Sequence, residues 1–129
     1  MDRFDIQCEI TPVPFDKLSE RAEGESSAVI RERVIRARAI QEERFRNVPG
    51  IHCNAQMTNR MLHEFAEPDA QGLALLRTAM ERLDLSARAY DRILKVARTI
   101  ADLDGAATVQ SHHLAEAIGY RSLDRENWV

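Results

Sequence analysis

Cysteine is scarce in this 129-residue sequence, limited to Cys8 and Cys53, and that excludes a small secreted scaffold held by disulfides. Both sit beside apolar residues and read as buried thiols. Lysine is nearly absent: Lys17 and Lys95 stand against a majority of arginines, and the formal net charge is -3. Bulk attraction to nucleic acid is therefore not indicated, although a local arginine face fits the balance. No apolar run nears the ~20 residues of a bilayer crossing, and no signal-peptide pattern opens the chain. The expectation is a soluble, cytoplasmic protein of one modest domain, with no membrane partner. Glycine is thin as well, five residues in all. None of them falls in a phosphate-cradling loop or Walker A pattern, so the chain alone cannot complete a P-loop site.

What is present is mostly helical periodicity. Phe4, Ile6, Cys8 and Ile10 alternate with polar residues as a half-buried strand would, until Thr11-Pro12-Val13-Pro14 stops the pattern. No second clear strand follows. A turn is expected over Asp16 to Glu20, then a polar loop Glu23 to Ser27. A long helix from about Ser27 to Phe45 should turn Ile30, Val34, Ala37 and Phe45 to one side, with Arg31, Arg33, Arg36, Arg38, Glu42, Glu43 and Arg44 mostly outside. Pro49-Gly50 lies in a loop. Thr58 can cap a short helix carrying Met61, Leu62 and Phe65 up to Pro68, and Asp69 another carrying Leu73, Leu76, Met80 and Leu83. Ser86 caps the next, whose stripe is Tyr90, Ile93, Val96, Ala97, Ile100 and Leu103, with Gly105 as the stop. The last helix follows Val109-Gln110-Ser111 and presents Leu114, Ala117 and Ile118. The fold class expected is all-α, a helical bundle with an extended strand-like leader.

Chemistry-bearing clusters are sparse. The adjacent pairs His52-Cys53 and His112-His113 lack the spacing that sets two ligands on one helical face, so no metal site is expected. His113 reads as a cap or packing histidine. A Cys53 nucleophile with His52 or His63 as base has nothing to orient it. Asp91, Asp102 and Asp104 read as the solvated side of a helix. Two arginines are placed for phosphate: Arg3, just before the strand-like segment, and Arg88, in the first turn after Ser86, where backbone N–H groups also favour an anion. Arg33, Arg36, Arg60, Arg92 and Arg98 read as surface or helix-pairing residues.

Longer words add a resemblance. The run from Ser86 to Leu103, the words His113-Leu114-Ala115-Glu116-Ala117-Ile118 and Tyr120-Arg121-Ser122-Leu123-Asp124-Arg125, together with Cys53-Asn54-Ala55-Gln56-Met57 and Gly24-Glu25-Ser26-Ser27, resemble the C-terminal part of magnesium-chelatase-like AAA+ ATPases, especially the bacterial ComM branch. The resemblance implies a helical lid over residues 16-129 and, over residues 1-15, the last strand of an α/β core. Asp2-Arg3-Phe4-Asp5 resembles the family's arginine-finger word, so Arg3 would reach the γ-phosphate held by a neighbouring subunit. By the same resemblance Arg88 occupies the sensor-2 position.

Walker A, Walker B and sensor 1 have no counterpart here, so the chain by itself is expected to be no enzyme and to bind no cofactor. Met1 abutting the finger word reads as a boundary that cut the core. The longer parent implied by the resemblance is an ATPase using ATP and magnesium. Its partners would be its own core and neighbouring subunits of a homo-oligomeric ring, usually hexameric, with DNA as the implied substrate of a helicase or branch-migration motor of natural transformation. The other readings are a magnesium-chelatase-type subunit and a stand-alone helical interaction or DNA-binding module.

Overall fold

A computed structural model describes residues 5–8 and 24–121. Five α-helices account for most of the described residues: α1 (Ser27–Arg44), α2 (Asn59–Phe65), α3 (Ala70–Leu83), α4 (Ala87–Leu103) and α5 (Ser111–Gly119), with a 3-10 turn at Asn54–Gln56. The starts are where the polar residues before each apolar pattern place them. Ser26, Thr58, Asp69 and Ser86 each accept the backbone N–H three residues on, satisfying a donor that the helix itself leaves open. Asp84 ends α3 in the left-handed region at φ 49°, and Gly105 takes φ 71° in the turn after α4. Asp tolerates that conformation better than most side chains, and glycine adopts it freely.

Helix α4 is the centre. Ile93, Ala97 and Ala101 are fully buried on it. It packs against α1, α2, α5 and the 3-10 turn, while α5 also packs on α3. Leu62, Ala66, Leu76, Val109, Leu114 and Ala117 close the core around it, and Phe65 meets Phe45 edge to face at 5.6 Å between ring centroids. The all-α bundle expected from the periodicity is therefore present.

Two apolar faces do not go where the alternation sends them. Residues 6–8 form no strand, and the segment is turned over: Gln7 is buried at 7% exposure, while Ile6 is 55% exposed and Cys8 lies outside. The backbone N–H of the buried Gln7 donates to the Tyr120 carbonyl at 2.6 Å, which fixes the strip against the end of α5. Phe4 and Ile10, the other members of that alternation, lie outside the described residues. In α1 only Ala37 and Gln41 are buried. Ile30 and Val34 are exposed, so the stripe their spacing draws is not covered over the first half of α1. Leu73 and Leu103, placed in stripes by their spacing, are also largely exposed.

Candidate functional site

Arg88 is exposed in the first turn of α4, two residues after the Ser86 cap. That turn carries no acidic residue. A cation at the positive end of a helix dipole opposes helix stability by ~0.3–1 kcal/mol. The same sum of charge attracts an anion. Arg92 follows one turn later on the same face, and its guanidinium pairs with the carboxylate of Asp5. Asp5 ends the Asp2-Arg3-Phe4-Asp5 word, and Arg3 lies outside the described residues. Toward a nucleotide the described residues thus offer a cation suited to phosphate oxygens. A phosphate loop is not among them.

A second polar cluster lies inside the bundle, where sequence reading expected solvated or surface side chains. Asp102 is 2% exposed and Arg98 is 3% exposed. Asp102 receives Arg44 in a fork, Nη1 to Oδ2 at 2.8 Å and Nη2 to Oδ1 at 2.6 Å, and Arg98 Nε at 3.2 Å. Asn54 donates to the same carboxylate at 2.9 Å and to Thr99 at 3.1 Å, and its backbone N–H donates to Gln41 at 2.9 Å. The remaining donors of Arg98 reach the carbonyls of Phe65, Ala106 and Ala107, at the end of α2 and in the α4–α5 turn. Burial pulls the Arg98 pKa down, while Asp102 opposes the shift and Arg44 adds to it. Such a network is costly to desolvate and becomes tolerable only when fully bonded. Its periodicity hid it: Arg98 and Asp102 stand i, i+4 on the inward face of α4, beside the apolar stripe.

The histidines form a third group. Asp104, His112 and His113 bring three potential ligand atoms within 4.8 Å of one another, a convergence the linear spacing concealed because Asp104 comes from the end of the preceding helix. The bonding of His113, 1% exposed, bears on whether they hold a metal. Its Nδ1 accepts the Gln110 backbone N–H at 3.0 Å, so in the neutral ring Nε2 carries the proton and donates to Asp104 Oδ2 at 3.0 Å. A metal on Nε2 would require removing that proton while Nδ1 stays an acceptor. The residues present suit a proton better than a metal ion. They clasp α4 to α5, with His113 in the capping role its sequence position suggested, and the bonds from His113 and His112 hold the Asp104 carboxyl below its ordinary range.

The cysteines depart from the buried-thiol reading. Cys8 is exposed and Cys53 half-buried, both as free thiols. Cys53 Sγ lies within hydrogen-bond reach of Gln56 Oε1, a neighbour in its own turn, at 3.8 Å.

Comparison with known proteins gives this arrangement a context. A family model described as the C-terminal part of magnesium chelatase subunit ChlI matches residues 24–121. Competence protein ComM of Haemophilus influenzae is 40% identical over 126 residues, covering 97% of this chain and 24% of that protein. The YifB proteins of Salmonella typhimurium and Escherichia coli are 39% and 38% identical over the same span. The chain therefore spans about a quarter of the length of the curated relatives it matches. Words that meet in the buried network, Cys53-Asn54-Ala55-Gln56-Met57 and Arg98-Thr99-Ile100-Ala101-Asp102, lie inside the matched region. With its helices and its polar core both falling within that match, the chain belongs to the magnesium chelatase ChlI C-terminal family.

Proposed function

We propose that this chain is the non-catalytic lid of an ATP-driven ring motor, with residues 16-129 as the lid and residues 1-15 as the last strand of the adjoining core. The observation that carries the reading is Arg88, exposed in an acid-free first helical turn whose dipole favours an anion. In this reading Arg88 contacts nucleotide phosphate held by its own subunit. Arg3 is offered to the γ-phosphate of a neighbour, where a guanidinium offsets charge developing on the transferred group. ATP and magnesium belong to the whole protein, and the chemistry they supply is phosphoryl transfer to water. DNA as the parent's substrate rests on the resemblance to the ComM branch, and a relative named as a competence protein, 40% identical to this chain, supports placing it there. A magnesium-chelatase-type role rests on the family description alone.

The test is ATP turnover by the full-length ring, with and without branched DNA. Arg3→Ala is expected to lower kcat by about a thousandfold or more while the ring still assembles. Arg88→Ala should weaken nucleotide binding by roughly ten- to a hundredfold, the value of a charge-assisted hydrogen bond. Normal turnover in both variants would make the bundle a structural or partner-binding domain instead.

A further inference from the structure

We infer that the Asp5–Arg92 ion pair is a positioning contact that ties the segment carrying Arg3 to the helix carrying Arg88. It rests on the reading just proposed and adds the connection between its two arginines. On its own helix the positions that face Arg92 from one turn away, i±3 and i±4, carry no carboxylate, and the adjacent Asp91 points to a different side. Its neighbours at i−4 and i+3 are Arg88 and Lys95, both cations. Its acid comes from Asp5, 87 residues earlier in the chain. The Gln7 N–H bond to the Tyr120 carbonyl holds the same strip two residues further on, so the backbone beside Asp5 is fixed as well as its side chain.

The pair is not there for stability. Both side chains are partly exposed, and exposed ion pairs contribute little to folding. What it does is set distance and orientation. The sequence puts Arg3 two residues before Asp5, and Arg92 stands one turn from Arg88. A displacement of the start of α4, as when Arg88 gains or loses a phosphate, is therefore passed to the strip that presents Arg3. Asp5 and Arg92 act through Arg3 and touch no reacting atom.

The experiment uses the full-length protein, assembled and saturated with ATP. Asp5→Asn and Arg92→Gln are each expected to lower kcat about fivefold, with nucleotide affinity unchanged and the double variant no slower than the slower single one. The exchanged pair Asp5→Lys with Arg92→Glu should recover most of the loss, which a merely structural defect would not. Single variants that keep kcat within about twofold of wild type, while Arg3→Ala loses turnover and Arg88→Ala loses nucleotide affinity, overturn the positioning role and leave the nucleotide reading intact. Additive losses with no recovery in the exchanged pair overturn it too. Normal turnover in Arg3→Ala and Arg88→Ala removes the reading itself, and the inference with it.

Discussion

Among single residues, the most consequential is Arg98. A lysine there would keep the charge but lose the planar fork that serves Asp102 and three backbone carbonyls at once. Arg98→Lys leaves buried carbonyls without donors and should cost about 1–3 kcal/mol, seen as a lower urea midpoint with little change in slope. Asp104 makes the opposite case, a surface carboxylate with a readable pH signature. Its pKa is depressed from 3.8 by His113 first and His112 second. Its contribution is therefore complete above the ordinary aspartate value and is lost as pH falls through the lower folded one. Acid unfolding of Asp104→Asn, followed by helical circular dichroism, should be less steep below about pH 4 than that of the wild type. An unchanged acid limb would mean that the clasp carries no linkage.

Helices were legible to the degree that their ends were written in polar residues. Ser86 and Gly105 bracket α4 in sequence as they do in space, and Asp69 and Thr58 likewise mark the starts of α3 and α2. Periodicity could not say which stripes would find a partner, because covering a stripe is a property of neighbours: hence Ile30, Val34, Leu73 and Leu103 on the outside. Nor could it find the buried charges, since Arg98 and Asp102 look like any exposed i, i+4 pair until Arg44 and Asn54 arrive from elsewhere in the chain. The quoted resemblance words contained part of that answer, as residues of the polar core rather than of any reaction. One close approach was invisible too. Gly72 on α3 leaves so little space that a Cβ there would sit 2.8 Å from Leu114 and 2.9 Å from Pro68. Gly72→Ala, ordinarily favourable in a helix, should instead destabilise by about 1–3 kcal/mol, measured as a fall in Tm.

Across the whole molecule, the described residues contain no helix long and apolar enough to cross a membrane, yet apolar side chains still stand in water along the first half of α1. Replacing Ile30 and Val34 together with glutamine should change folding stability by no more than about 0.5 kcal/mol per site, as for other exposed positions. A larger loss on denaturation would show that the face is covered within the chain. The buried network at the far end of α4 has a mechanical consequence. Helix α4 is a rod roughly 25 Å long, clamped through Arg98 and Asp102 at one end and carrying Arg88 at the other. With its fulcrum in the charged core, roughly 18 Å from Arg88, a tilt of only about 6° sweeps that end through about 2 Å, close to the difference between a guanidinium in contact with an oxygen and one with water between.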